Sequence, residues 1–192
     1  MSTETSGYHH GSLRTAILSA AIESLEVGEK FSLRAIARRV GVSPTAPYRH
    51  FTNRRELESA VAVEGFKDLR ADLAAALTDP AAARSPVDVL APLASAYVTF
   101  ALRRPAIFRL MFGNECDEAN SERVVAAGDL HEVLGSVVEQ LFPTSDVQNL
   151  ATAMWSMAHG LAFLHLDGKF QPGPPIEVEK RVRAAITAVL IL

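Results

Sequence analysis

The 192-residue sequence predicts an all-α fold, and two observations lead to that class. Apolar residues recur every three or four positions along nearly the whole chain, and no stretch sustains the alternation of apolar and polar residues that is typical of a strand. With 48% apolar and 21% charged residues, the composition is that of an ordinary folded protein of one or two domains. Disorder and a disulfide-stapled scaffold are therefore excluded as classes.

The first two helices are indicated by their apolar stripes and caps. A stripe from Leu13 to Leu25, closed near Gly28, predicts the first helix. Ser32 is the predicted N-cap of a short second helix, and Gly41 its C-terminal stop. The apolar positions between these caps follow the spacing i, i+3, i+4, i+7, and they are Leu33, Ile36, Ala37 and Val40.

A third helix is predicted to follow immediately, with Ser43 as its N-cap and Pro44 at its first position. Pro47 is assigned to the first turn, where backbone N–H groups have no intrahelical partner, so the helix is expected to continue through it. The short spacing after Gly41 makes this a tight helix-turn-helix pair. Pro47 and Phe51 are expected to face inward; the outward positions are Thr45, Ala46, Tyr48 and Arg49.

The remaining chain is predicted as six longer helices. Asn53, with Glu56 completing a capping box, begins the fourth helix, and a loop from Thr78 to Pro86 follows it. The others are predicted at Val87–Arg103, Pro105–Phe112, Glu118–Leu141, Asp146–Leu166 and Ile176–Leu190.

The helix that ends at Leu166 carries no Asp, Glu, Lys or Arg from Val147 onward, so it is expected to be buried on most of its circumference. A transmembrane span is the alternative, but the polar residues within it and the lack of a basic flank disfavour that. A four-helix interface between two subunits, with the last helix packed beside this one, fits better.

The basic residues are concentrated near the N-terminus. The formal net charge is −3, yet residues 1–55 carry eight Lys and Arg against four Glu, a net +4, while the remainder carries −7. Between Lys30 and Arg55 there are seven basic residues and no acidic one. Such a segment attracts phosphate whatever the charge of the whole chain, although a solvated Arg-rich face would have the same charge.

The outward positions of the third helix have the chemistry of a DNA reader. In the major groove, Arg pairs with guanine and methyl groups meet thymine, while the flanking Ser43, Tyr48, His50 and Arg54 are suited to phosphates. The alternative is a helical interaction or small-molecule-binding protein without a DNA partner. Salt distinguishes the two, because DNA binding weakens steeply as salt rises.

Three motifs between Tyr8 and Phe66 resemble the DNA-binding region of TetR-family transcriptional regulators: Tyr8-His-His-Gly-x-Leu-Arg14, Phe31-Ser-Leu-Arg-Ala-Ile-Ala-Arg-Arg-Val-Gly-Val-Ser43 and Tyr48-Arg-His-Phe-x-Asn-Arg-x-x-Leu57. The second half is similar to a ligand-binding domain of some of these regulators that is named for a Trp, a His and a Gly, here Trp155, His159 and Gly160. The resemblance implies a DNA-binding domain at residues 1–60 and an effector-binding and dimerisation domain at 61–192. It further implies a homodimer on a palindromic double-stranded DNA operator, usually a repressor that a small molecule releases.

The resemblance also implies residue roles. The positions that match base-facing ones are Pro44, Thr45, Ala46 and Arg49, and those that match phosphate-contacting ones are Tyr48, His50 and Arg54. Ser32 and Arg34 match positions where backbone contacts are common. Arg54 stands where Lys is more usual, which preserves the charge, and Pro47 stands where an aliphatic is usual.

An effector pocket should be apolar with a few convergent polar groups. The candidates are Tyr97, Phe100, Phe108, Met111, Phe112, Trp155, His159 and Phe163. Trp155 and His159 rank first because they lie one helical turn apart on the uncharged helix. Packing in the core is the alternative for each candidate, and dimer packing for these two. The effector itself is not identified by the sequence.

Catalysis, metal binding and export are not expected. His131-Glu132 begins a zinc-protease-like pattern, but Gly135 stands where the second His would be, and no P-loop, Gly-x-Ser-x-Gly or dinucleotide fingerprint is present. The sequence therefore predicts no enzyme, no cofactor and no metal. Lone Cys116 and a polar start without a secretory signal predict a reducing cytoplasm and no membrane partner.

Overall fold

A computed structural model of the protein describes residues 10–29, 32–77, 83–113, 121–143, 146–171 and 173–190. Several sequence predictions fall outside these residues. They concern Tyr8 at the start of the first motif, Lys30, Phe31, Cys116 and the predicted helix start at Glu118.

The fold is all-helical within the described residues, as the sequence predicts. Its α-helices are α1 His10–Glu26, α2 Leu33–Val40, α3 Arg54–Ala76, α4 Pro86–Arg103, α5 Pro105–Gly113, α6 Ser121–Leu141, α7 Val147–Leu166 and α8 Pro175–Leu190. A 3₁₀ turn, Ala46–Arg49, lies between α2 and α3. Local caps explain the boundaries: the Asp146 carboxylate accepts the N–H of Asn149 at 3.2 Å and so begins α7 where predicted.

The long helix α3 joins the two parts of the molecule. It contacts α1 as well as α4, α5 and α6, and it continues without a break past residue 60, the predicted domain boundary. Its buried side chains, among them Leu57, Val61, Phe66 and Leu69, contribute to the core along its length. A movement of α3 therefore affects both parts.

In the single chain, α7 is buried on one side only. It packs against α4 and α6, and α8 packs on α4 rather than chiefly on α7. The other side of α7 is uncharged and exposed, with Asn149, Thr152, Ala153, Ser156 and Leu164 on it. Among the described residues, no helix combines the length and hydropathy that a membrane span requires.

Candidate functional site

The helix-turn-helix pair is held by local caps. At the start of α2 the Ser32 hydroxyl accepts the N–H of Ala35 at 3.2 Å. At its end Gly41 has φ +78°, the left-handed conformation that glycine adopts without a steric cost. Ile36 and Ala37 are buried, so α2 is anchored on its inner side. These observations confirm both predicted caps of α2.

The element that was predicted as a third α-helix is the single 3₁₀ turn, and it has no side-chain cap. The prediction that Ser43 caps a helix beginning at Pro44 is wrong, because the Ser43 hydroxyl lies 3.2 Å from that of Thr45 instead. In a helix capped at Ser43, Pro47 would have to donate the first intrahelical N–H bond, and it has no N–H. The chain takes the shorter turn and buries Pro47 beneath it.

The residues predicted to contact DNA lie on the start of α2, the following turn, the 3₁₀ turn and the start of α3. Ala46 and His50 are half-buried. The exposed members are Ser32, Arg34, Ser43, Pro44, Thr45, Tyr48, Arg49 and Arg54. Tyr48 is 46% exposed, whereas Phe51 below it is 1% exposed, so the turn holds its polar side chains away from the core as predicted.

The basic side chains of this segment fall into two groups. Arg39 is turned back onto the chain, where it pairs with Glu23 at 3.1 Å and Glu29 at 3.5 Å. Arg54 pairs with Glu58 at 2.8 Å. Among residues 32–55, the exposed arginines that make no ion pair with a described residue are Arg34, Arg38, Arg49 and Arg55. The charge available to a polyanion is therefore smaller than the sequence count suggests.

Two of those arginines, Arg38 and Arg55, were not among the predicted contacts. A signal for Arg38 was present in the sequence, because it follows Arg34 by four positions and so shares its face of α2. Arg55 directly follows Arg54 in the first turn of α3.

The start of α3 is fixed by a modified capping box. The Asn53 side chain accepts the N–H of Glu56 at 3.0 Å, as predicted. The Glu56 carboxylate accepts the hydroxyl and the N–H of Thr52, at 2.7 and 2.6 Å, rather than the N–H of Asn53. These two hydrogen bonds, that of the hydroxyl first, lower the pKa of Glu56. α3 therefore begins at Arg54, whose Nε donates to Glu58 at 2.8 Å.

The C-terminal part contains a partly open cavity of about 210 Å³, walled by α3, α4, α5, α6, α7 and α8. The described residues that line it include no charged side chain, and the polar groups among them belong to Tyr97, His131 and Trp155. A cavity of roughly 150 Å³ with apolar walls accepts benzene, so this one has room for a somewhat larger molecule.

The structure brings half of the predicted ligand-binding residues to the cavity wall. Those that line it are Tyr97, Met111, Phe112 and Trp155, and those that do not are Phe100, Phe108, His159 and Phe163. Sequence reasoning did not propose the other wall residues: Phe66, Leu73, Leu90, Leu93, Ala94, Ala127, Leu130, His131, Val133, Leu134, Met154, Ala158 and Ile186. These lie on ordinary apolar stripes, where spacing does not distinguish the wall of a void from a packed core.

Three polar groups beside the cavity satisfy one another. Trp155 Nε1 donates to the Tyr97 hydroxyl at 3.3 Å, and that hydroxyl lies 2.8 Å from His159 Nδ1. Burial lowers the pKa of His159 and so favours the neutral ring, whose Nδ1 can accept a hydrogen bond from the Tyr97 hydroxyl. Burial raises the pKa of Tyr97 well above its usual value, against the smaller opposing effect of the Trp155 hydrogen bond.

An aromatic layer backs this network. The His159 ring lies 4.8 Å from that of Phe112 and 4.8 Å from that of Phe163, measured between ring centroids. Phe108, which is fully buried, lies 4.9 Å from Phe112 by the same measure. His159 therefore supports the cavity wall from behind.

Arg104, at the junction of α4 and α5, links the cavity region to α1. Its Nε donates to Glu26 of α1 at 2.7 Å, and the same guanidinium pairs with Asp68 of α3. The helix that begins beside it, α5, also approaches α3 closely: a Cβ added to Gly65 would lie 2.7 Å from the Met111 sulfur. One short helix therefore contacts the cavity, α3 and α1.

The sequence matches two family models. Residues 17–61 match the model described as bacterial regulatory proteins, tetR family, and residues 90–189 match the tetracyclin repressor-like C-terminal domain. HTH-type transcriptional regulators of Mycobacterium bovis and Mycobacterium tuberculosis are 31% identical over 110 residues, which cover 57% of this chain and 47% of theirs. The chain thus spans about half the length of the curated relatives it matches.

Solved structures share the fold over nearly the whole chain. A protein of unknown function from Rhodococcus sp. RHA1 is 33% identical and has a TM-score of 0.79, covering 93% of this chain and 95% of its own. LfrR from Mycobacterium smegmatis, solved in complex with proflavine, is 19% identical with a TM-score of 0.59, covering 91% of this chain and 93% of its own. Since the C-terminal family model alone spans more than half of the sequence and the N-terminal model matches beside it, the chain belongs to the TetR family of bacterial regulatory proteins.

Proposed function

We propose that the protein is a sequence-specific DNA-binding transcriptional regulator without catalytic activity. The observation that carries this proposal is the exposed 3₁₀ turn, which holds Thr45, Tyr48 and Arg49 outward over buried Pro47 and Phe51. The base-facing role goes to Pro44, Thr45, Ala46 and Arg49. The backbone-contacting role goes to Ser32, Arg34, Ser43, Tyr48, His50 and Arg54. Residues 1–60 are proposed to form the DNA-binding domain, and the protein is proposed to act in the cytoplasm.

The regulator is proposed to act as a homodimer on a palindrome. The uncharged exposed side of α7 supports this, because an exposed helix face without charge favours burial by a second subunit. Ala153→Arg on that face should give a monomer in analytical ultracentrifugation, while the matched change Ala71→Arg, at an exposed position of α3, should leave the dimer intact. A native chain that sediments as a monomer at micromolar concentration contradicts this part of the proposal.

Effector release is proposed to act through α5. A molecule in the cavity touches Met111 and Phe112 of α5, and Arg104, directly before that helix, donates to Glu26 of α1. If the ligand prefers a conformation in which the two recognition turns of the dimer are no longer about 34–36 Å apart, DNA affinity falls by a shift of population. The assignment of this half to the Trp-His-Gly group, on Trp155, His159 and Gly160, belongs to the same proposal.

Selection of bound fragments from random duplexes tests DNA recognition and half-site symmetry together. We expect a palindrome whose half-sites are one helical turn apart, or a multiple of it, and an affinity that falls steeply with salt. Adding the protein to a transcription reaction driven through that palindrome should lower transcript yield. Indifference to every duplex at low ionic strength would contradict the proposed function, and a single short asymmetric site would contradict the dimer.

A further inference from the structure

We propose that the cavity binds a neutral, mainly hydrocarbon molecule with one hydroxyl group, and that His131 is the residue that binds this hydroxyl. The inference rests on the proposed effector-controlled function and adds the chemistry of the effector. It depends on the charge of the walls, the size of the void and the hydrogen bonds that its polar groups already make.

The walls exclude ions by their chemistry. Among the described residues that line the cavity there is no Asp, Glu, Lys or Arg, so a carboxylate or an ammonium ion would lose its hydration without gaining a partner from an oppositely charged Asp, Glu, Lys or Arg side chain. A hydrocarbon has no ionic hydration to lose, and it gains apolar contacts with side chains such as Leu90, Leu130 and Met154. The volume of about 210 Å³ suits one aromatic ring with a short alkyl chain.

One polar group at the wall remains available. Trp155 Nε1 is hydrogen-bonded to the Tyr97 hydroxyl, and that hydroxyl is also hydrogen-bonded to His159. His131, on α6, lines the same void, and its ring lies 6.0 Å from that of Trp155 in an edge-on contact. In the described part of the chain His131 makes no hydrogen bond.

A hydroxyl is the group that matches this histidine. A neutral imidazole offers one donor and one acceptor, and a hydroxyl group can use either of them. A hydrocarbon without a polar group would fill the void but leave His131 unpaired. The cavity should therefore distinguish an alcohol or phenol from the corresponding hydrocarbon.

Four probes of similar size test the effect of the hydroxyl group and the effect of charge separately: para-butylphenol, butylbenzene, para-butylbenzoate and para-butylbenzylammonium. Binding is read at pH 7 by calorimetry and by the fluorescence of Trp155, the sole tryptophan of the sequence. We expect the phenol to bind about ten-fold more tightly than butylbenzene, the value of one net hydrogen bond. The two ions should bind at least about a hundred-fold more weakly than the phenol.

Variants test whether His131 causes the preference for the phenol over butylbenzene. His131→Leu should bind the phenol and butylbenzene equally well, and His131→Asn should restore part of the preference. His165→Leu, the same change at a histidine that does not line the cavity, should keep the full preference. Binding of either ion as tightly as the phenol, or an unchanged preference in His131→Leu, would overturn the proposal.

The outcome is separable from that of the proposed function. If the phenol binds as expected but leaves the affinity for the selected DNA unchanged, effector release is contradicted while the chemistry of the cavity is supported. If other compounds release the DNA and none of the four probes binds, the present inference is overturned alone.

Discussion

The helix-turn-helix segment and the cavity region position their side chains by different means. In the first, caps and one 3₁₀ turn within residues 32–54 hold polar groups outward, and each of these interactions spans only a few residues. In the second, six helices from Phe66 to Ile186 meet around a void. Local chemistry therefore sets the first site and long-range packing sets the second, so substitutions should separate DNA binding from stability.

The largest effect is expected in the aromatic layer behind the cavity. Phe108 is fully buried against Phe112, Tyr97 and Phe163. Phe108→Ala should lower the free energy of unfolding by about 3–5 kcal/mol, because it removes a buried ring and leaves a void. Chemical denaturation measures this. Where the variant is still folded, its affinity for DNA without effector should match that of the native protein; a loss below about 1 kcal/mol would mean that the layer repacks freely.

The same difference explains which features of the two regions can be predicted from the sequence. Ser32, Gly41 and Asn53 could be assigned as caps because each acts on residues three or four positions away. The prediction of a third α-helix failed at Pro47. Pro47 lacks the N–H that would make the first intrahelical hydrogen bond, so the chain forms a 3₁₀ turn instead.

The cavity region was predictable only in part, for a physical reason. Helix positions followed from apolar spacing, but a void depends on which stripes face each other across the fold. Phe100 and Phe163 were therefore predicted as ligand-binding residues and do not line the cavity, whereas His131 was not among the candidates and does line it. Likewise, only tertiary structure shows that Arg39 is paired with Glu23.

The next effect concerns the DNA-facing turn and should leave stability nearly unchanged. Arg49 is exposed and makes no ion pair in the described part of the chain, so Arg49→Ala should cost about 1–3 kcal/mol of discrimination at one base pair of the operator. Arg54→Ala should instead weaken binding to all sequences and reduce the salt slope by about 1. Binding titrations on matched and mismatched duplexes at several salt concentrations measure both; identical profiles would contradict the division of roles.

A smaller effect tests whether the turn depends on its local backbone. Gly41 has φ +78°, so Gly41→Ala should lower the free energy of unfolding by about 1 kcal/mol and weaken DNA binding with it. Gly128, at an exposed position of α6 with open space where a Cβ would be, is the matched control, and Gly128→Ala should stabilise the protein by roughly 0.5–1 kcal/mol. Thermal or chemical denaturation should give opposite signs, and equal signs would remove the special role of the Gly41 conformation.

The smallest effect is a pH dependence in which the two regions titrate in different windows. Burial holds the pKa of His159 below its usual value, so the unfolded chain takes up the proton first as pH falls below about 6.5, and stability declines until the lower folded pKa is passed. The hydrogen bonds to Thr52 lower the pKa of Glu56. Its contribution to the free energy of unfolding is therefore lost only as pH falls from about 4.5 to its pKa in the folded protein. His159→Asn should therefore reduce the pH dependence of the free energy of unfolding just below about pH 6.5, and Glu56→Gln only the pH dependence below about pH 4.5. If His159→Asn left the upper window unchanged, the folded protein would accept the proton as readily as the unfolded chain, and burial could not be holding the pKa of His159 below its usual value.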